Sequence, residues 1–378
     1  VTPTVRTISA DEHRAFIAGR SSASFLQTPG WALVKSEWRA ESLGWYDGDR
    51  LVGAGLVLYR KLPRLPRYLA YLPEGPVIDW DADELGDWLE PMTRHLKSQG
   101  AFGVRMGPPV VTRRWSAAQV KDGIADADAF RLADLAPLER SATGARVVQQ
   151  LESLGWQPQL SAGGGFAAGQ PQYSFVIPLV AADGARRTED DVLAGMNQQW
   201  RRNIRKADKS GVVVTMGGSA DLKAFHDLYV HTAERDDFTP RPFSYFQTMY
   251  DALGAEDPGR ITLWLAHHEG DLVAATIAVR VGTHAWYSYG ASSTDKREVR
   301  GSNAVQWAMI RDAIEQGADV YDLRGITDTL DPEDPHVGLI QFKVGTGGEA
   351  VENVGEWDLA LNRALYKGFQ LYLSRRGR

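Results

Sequence analysis

Two stretches of this chain pass through the same signals in the same order. Asp47-Gly48-Asp49-Arg50-Leu51-Val52-Gly53-Ala54-Gly55-Leu56 resembles Glu269-Gly270-Asp271-Leu272-Val273-Ala274-Ala275-Thr276. Each opens on turn residues that close a hairpin. Each continues into a long apolar strand, then into a strand with tyrosines, around Tyr71 in one half and around Tyr287 and Tyr289 in the other. A helix follows in both. The helices end Gln99-Gly100-Ala101 and Gln316-Gly317-Ala318, and the strands after them end Arg105-Met106-Gly107 and Leu323-Arg324-Gly325. Duplication of one unit accounts for the coincidence. The order strand–strand–strand–helix–strand predicts an α/β fold (α+β, mixed sheets) with helices on the sheet faces. The expected domains are 1–170, completed by 351–378, and 171–350. The glycine-rich stretch from Ser161 to Gly169 is the clearest such break in the chain and reads as a linker or a hairpin tip.

A chain of 378 residues suits two domains, and 43% hydrophobic with 24% charged residues can build two cores. With no cysteine, disulfides, thiolate metal sites and a cysteine nucleophile are excluded. No H-E-x-x-H occurs. His267 and His268 are adjacent in a strand pattern, so their side chains face opposite ways. Neither a metal nor a cofactor is expected. The net charge of −6 argues against a protein that coats nucleic acid, though not against a local basic patch. No run approaches the roughly 20 apolar residues of a membrane span, and Val1 to Arg6 lack an apolar core for export. A cytoplasmic protein is expected. The basic end Arg375-Arg376-Gly377-Arg378 leaves open a peripheral contact with the inner face of a membrane.

Local patterns place the remaining elements. Trp31, Val34, Lys35 and Trp38 have helical spacing and predict a helix over 32–38. Thr188 and Asp191 resemble a capping box with Asp in the place of Glu. Ser302 is the expected cap of the helix that ends at Gln316. Lys343 follows Phe342 in a segment with Gly338 before it and Gly345, Gly347 and Gly348 after it. Glycines let a backbone approach a ligand closely, and a lysine there offers a compact positive charge. The plain alternative is a surface lysine beside a core phenylalanine.

The repeated unit resembles the GNAT acyltransferase fold, which implies two tandem GNAT-like domains. That fold carries a pyrophosphate loop of the type Q/R-x-x-G-x-G/A before its central helix. Here the stretch is Glu298-Val299-Arg300-Gly301-Ser302-Asn303, acidic at its first position and Asn at its last, which argues against acyl-CoA as donor. Three segments together resemble the Fem family of aminoacyl-tRNA-dependent peptidyltransferases that build peptidoglycan interpeptide bridges. They are Trp200-Arg201-Arg202-Asn203-Ile204-Arg205-Lys206-Ala207 through Gly211-Val212; Thr232 to Phe238 with Arg241 and Tyr245; and Tyr289-Gly290 through Tyr321-Asp322-Leu323 to Phe342-Lys343. Some members insert a long helical arm after the basic helix. Here a strand pattern follows Gly211 at once, as in compact members.

The resemblance implies an enzyme that moves an amino acid from aminoacyl-tRNA to a side-chain amine of UDP-MurNAc-pentapeptide or lipid II, working as a monomer. It assigns Lys343 to the reacting centre, where an ammonium would stabilise the oxyanion of the tetrahedral intermediate, and Phe342 to the tRNA 3′ end. Arg241 and Lys35 would hold the precursor's diphosphate, for which a guanidinium fork is suited. Tyr245, Tyr71, Tyr287 and Tyr289 would line the substrate cleft, with Tyr287 and Tyr289 on one face of their strand. Arg201, Arg202, Arg205 and Lys206 would meet acceptor-stem phosphates. Each has a plain alternative: core packing for the aromatics, a solvated helix face for the cations. No residue is an obvious general base. The competing readings are an N-acyltransferase using acyl-CoA, a tRNA-dependent ligase acting on a natural-product peptide, and a non-catalytic binder of cell-wall precursors.

Overall fold

The computed structural model describes residues 2–63, 65–159 and 169–376, so the glycine-rich stretch read as a linker or a hairpin tip lies almost wholly outside the described residues. From the N-terminus come β1 (Thr4–Thr7), α1 (Ala10–Ala18), the single turn α2 (Trp31–Val34), β2 (Arg39–Asp47), β3 (Arg50–Lys61) and β4 (Tyr68–Leu72). Next are α3 (Gly86–Ser98), β5 (Ala101–Met106), β6 (Val111–Ser116), α4 (Ala117–Ala125), β7 (Glu139–Arg140), α5 (Ala142–Ser153) and β8 (Gln157–Pro158). The second half holds β9 (Tyr173–Pro178), α6 (Glu189–Gly195), α7 (Gln198–Lys209), β10 (Val213–Gly217), α8 (Leu222–Asp236) and α9 (Phe243–Glu256). It continues through β11 (Ile261–His268), β12 (Asp271–Val281), β13 (His284–Ser292), α10 (Gly301–Glu315), β14 (Val320–Ile326), α11 (Val337–Val344) and β15 (Glu349–Asn353). The chain closes with β16 (Trp357–Ala360) and α12 (Arg363–Arg376).

Two compact units result. Unit 1 comprises residues 1–114, 139–172 and 352–378; unit 2 comprises 115–138 and 173–351. The segment 115–138, which the sequence places in the first half, therefore packs in unit 2. In unit 1 the strands run β1-β2-β3-β4-β5-β16-β8; the nine-stranded second sheet begins β10-β11-β12-β13-β14-β9-β15. These seven positions correspond in the two sheets. In both, a tight hairpin joins the second and third strands, and the fourth and fifth are parallel. Each parallel pair is connected by a helix, α3 or α10, as a parallel crossover requires. The sixth position is filled by a strand distant in sequence, β16 beside β5 and β9 beside β14.

Unit 1 buries Trp45, Trp115's counterpart in size, together with Leu43, Val57, Leu89, Val104 and Trp156; unit 2 buries Trp115, Phe175, Ile177, Ile310, Tyr321 and Ile326. A charged pair also serves unit 1. Arg105 reaches Asp358 with Nε and one Nη, both at 2.7 Å, and so ties β16 to β5 with a bidentate fork.

His13 on α1 is fully buried, with Nδ1 2.9 Å from Ser42 Oγ and Nε2 without a hydrogen-bond partner. Burial penalises its charged form and lowers its pKa from 6.5 to about 4. Below pH 6.5 the unfolded chain then binds the proton that the folded chain refuses. Stability should fall as pH drops from 6.5 to about 4, by about 3 kcal/mol from this residue. Urea melts across that window should show a shallower pH slope for His13→Gln than for the wild type.

Two local expectations meet differences. The helix read over 32–38 is the one turn α2, because Lys35 leaves the helical region at φ −107°, ψ 39° and the chain turns into β2. Ser302 does not cap α10; Arg300 stands there in the left-handed region with no side-chain cap. The glycine-flanked segment that carries Lys343, for which no element was predicted, is the helix α11. The Thr188–Asp191 capping box forms as read, with Asp191 accepting from the Thr188 N–H at 2.8 Å.

Candidate active site

The parallel pairing of β13 and β14 covers only His284–Trp286 against Val320–Asp322, after which the ladder stops. On the other side of β14, pairing with β9 breaks between Asp322 and Gly325. The end of β14 thus carries backbone groups that no strand satisfies, a costly state in a buried position. Arg324 takes the left-handed conformation there, φ 63°. Asp322 stabilises the turn: its Oδ1 accepts the Arg324 N–H at 2.6 Å, and its Oδ2 lies 3.3 Å from His284 Nε2.

Lys343 fills the opening. It projects from the last turn of α11, is only 4% exposed, and its Nζ donates to the carbonyls of Gly325 at 2.7 Å and Arg324 at 3.2 Å. Burial lowers its pKa from 10.5 to about 7; the negative Asp322 works the other way and Arg324 adds to the fall. Burial alone would raise the Asp322 pKa, but the His284 contact, the Arg324 charge and the Arg324 N–H outweigh it and hold the carboxyl below its ordinary value. The result is a buried amine that changes charge near neutral pH, beside a fixed carboxylate.

Phe342 is half-buried and packs on Trp200 of α7, ring centroids 4.8 Å apart. Trp200 Nε1 donates to the Phe342 carbonyl at 2.9 Å, and the Asn197 N–H donates to the Gly345 carbonyl at 2.9 Å. A Cβ on Gly345 would stand 2.3 Å from the Trp200 ring. The basic helix is therefore seated directly on the helix that carries Lys343. Arg202, Arg205 and Lys206 are exposed on α7 and Arg201 is half-buried. Among the described residues none of the four has a carboxylate partner.

A second cluster of unit 2 surrounds Arg241. This residue lies two positions before α9, at the helix entrance, with its guanidinium 5.1 Å from the Tyr245 ring. Its carbonyl is 3.0 Å from His226 Nε2. The Tyr245 and Tyr289 hydroxyls are 3.0 Å apart, and burial raises the Tyr245 pKa strongly. Tyr289 also packs edge-on against Phe246 and Tyr229. Tyr287 does not share this face. A bulge lets Ile277 pair with Tyr289 while Ala278 pairs with Tyr287, so the extra residue Ser288 breaks the alternation. Tyr287 turns to the core that contains Tyr321, and burial pushes its pKa up to about 12.

Lys35 and Tyr71 belong to unit 1. Lys35 is half-buried at the end of α2. The Tyr71 ring is 6.2 Å from that of Trp38, three residues after Lys35. The Tyr71 hydroxyl donates to Glu356 Oε1 at 2.5 Å; burial raises the Glu356 pKa, and the Tyr71 bond only partly offsets it. Residues whose part the sequence reading missed are Asp322, His284, Trp200 and His226. Only Asp322 had a signal: a carboxylate inside an otherwise apolar strand run.

The two mixed sheets have the fold of tandem GNAT-like proteins. A tandem GNAT protein from the clavulanic acid biosynthesis pathway matches with TM-score 0.51 and 12% identity over 95% of this chain and 98% of that one. The crystal structure of FemX matches with TM-score 0.79 and 23% identity over 96% of this chain and 98% of that one. The lipid II:glycine glycyltransferase of Staphylococcus aureus (strain MRSA252) is 24% identical over 95% of this chain and 93% of its own length. The model of the FemAB family covers residues 8–266 and 264–373, and the chain belongs to that family. The alignment with the S. aureus protein spans 433 positions against 378 residues here, so the relative carries residues with no counterpart in this chain. In this chain α7 ends at Lys209 and β10 begins at Val213, with no helical arm between them.

Proposed function

We propose that this protein is an aminoacyltransferase that moves an amino acid from aminoacyl-tRNA to a side-chain amine of a peptidoglycan precursor, UDP-MurNAc-pentapeptide or lipid II. The observation that carries the reading is Lys343, a buried amine anchored on the Arg324 and Gly325 carbonyls where β13 and β14 part. Family membership and the glycyltransferase relative support the same reaction class.

In this reading the acceptor amine nitrogen attacks the ester carbonyl carbon. A C–N bond forms and the carbonyl oxygen becomes an oxyanion, which the Lys343 ammonium stabilises without reorganising. Collapse breaks the ester C–O bond. The proton lost by the amine leaves on the tRNA ribose hydroxyl, so no protein base is consumed. Phe342, braced by Trp200, flanks the 3′ end. Arg241 takes the diphosphate, and Tyr245 and Tyr289 beside it contribute to acceptor binding. Arg201, Arg202, Arg205 and Lys206 take acceptor-stem phosphates, which contribute affinity but no sequence selection. The enzyme acts as a monomer in the cytoplasm.

Mixing the protein with pooled charged tRNAs and each precursor, and weighing the precursor, tests the reading. A gain of one or more aminoacyl masses is expected. A gain with acetyl-CoA alone would replace tRNA as donor, and no gain with either precursor would overturn the acceptor. The double variant Arg202→Ser/Arg205→Ser should raise KM for aminoacyl-tRNA about tenfold and leave kcat nearly unchanged. It should also reduce the slope of log affinity against log salt by about 1.5.

A further inference from the structure

The net charge of the chain is −6, yet two stretches of unit 1 carry four basic residues each and no acidic one. The first is Arg60-Lys61-Leu62-Pro63-Arg64-Leu65-Pro66-Arg67, the end of β3 and the connection to β4. The second is α12, with Arg363, Lys367, Arg375 and Arg376. Described residues of the two stretches pack together. Leu62 packs with Leu365 and Tyr366 against the buried cluster of Leu69, Phe102 and Phe369. The Arg60 guanidinium lies 5.8 Å from the Phe369 ring centre. The connection is closed on itself by a bond from the Leu62 N–H to the Arg67 carbonyl, 2.8 Å. Its outward residues include Lys61, Arg67 and Leu65, the last 45% exposed. On α12 the inward positions are Leu365 and Phe369. Lys367 and Leu371 are one turn apart on the opposite side, and Leu371 is 53% exposed.

We propose that this face, formed by the β3–β4 connection and α12, docks on an anionic lipid bilayer. Two features favour lipid over a nucleic acid, the other polyanion the protein would meet. Leu65 and Leu371 stand exposed among the cations, where they gain free energy by entering an apolar phase. Among the described residues, those exposed on this face also include none of the aromatic platforms that stack on bases. Cations near an anionic leaflet and shallowly inserted leucines act additively, each weak alone. The inference stands on the surface of unit 1 and requires neither the donor nor the acceptor proposed above. If both hold, docking would bring the enzyme to a lipid-linked acceptor.

Co-sedimentation of the full chain with vesicles of phosphatidylcholine containing 30% phosphatidylglycerol, and with pure phosphatidylcholine, tests it. Binding to the anionic vesicles only, weakened by salt, is expected. Lys61→Ser/Arg67→Ser/Lys367→Ser should weaken it about a hundredfold, at roughly fivefold per cation. Leu65→Ser/Leu371→Ser, which leaves the charge unchanged, should weaken it about tenfold. Thermal melts of each variant guard against misfolding. No binding to anionic vesicles overturns the proposal. So does binding that ignores both sets of substitutions. Weakened tRNA binding by the lysine and arginine variant, with vesicle binding unchanged, would reassign the face to nucleic acid.

Discussion

Replacing Lys343 by Met should lower kcat by about 10²–10³ while making the folded protein more stable at pH 7. The two effects share one cause. Lys343 is charged in the unfolded chain up to its ordinary 10.5, but burial lowers the folded value to about 7. The folded protein therefore binds fewer protons than the unfolded chain between these limits, and stability from this residue rises with pH across that window. At pH 7 the buried amine costs on the order of 5 kcal/mol. Methionine removes that cost but leaves the Arg324 and Gly325 carbonyls without their donor, a loss of about 1–3 kcal/mol. A net gain of about 2 kcal/mol at pH 7 is expected. Chemical denaturation of both proteins at pH 7 and pH 10 checks it: the difference should shrink at the higher pH and reverse in sign. A variant that is inactive and unstable at both would show that Lys343 is a structural residue.

Gly347→Ala should be the most damaging methyl group that can be added near the site. Gly347 has φ 76°, where a side chain costs about 1 kcal/mol, and its Cβ would stand 2.0 Å from the Gly195 carbonyl oxygen. That oxygen is backbone and cannot rotate away. A loss of more than about 3 kcal/mol is expected, read as a lower urea midpoint. Turnover should fall as well, because this turn holds the end of α11 from which Lys343 projects. Gly338→Ala, at the start of the same helix with nothing within 4 Å of its Cβ, should instead stabilise by up to about 1 kcal/mol. If the two variants behave alike, the packing of the glycine turn does not decide the position of α11.

Much of the architecture was legible in advance. The repeated hairpin, tyrosine strand, helix and glycine-ended strand match β2-β3-β4-α3-β5 and β11-β12-β13-α10-β14 in order. These are local signals: turn dipeptides, strand alternation and helix ends act over a few residues and are written along the chain. The sixth strand of each sheet was not legible. β16 and β9 reach their places across long sequence separations, and nothing in either stretch names its partner.

The same division runs through the site. Sequence by itself determined which residue types were available: one lysine after an aromatic residue among glycines, a run of cations on one helix, and no thiol. It could not show that Lys343 is buried, since a lysine in a glycine-rich stretch is ordinarily solvated. Tertiary structure decided that, by parting β13 from β14 and leaving two carbonyls for the amine to satisfy. It also sent Tyr287 and Tyr289 to different faces through one bulged residue, where strand periodicity alone placed them together. The physical reason is common to both. Chain-local preferences set the elements, but burial and charge state depend on which distant backbone groups are left unpaired when the elements pack.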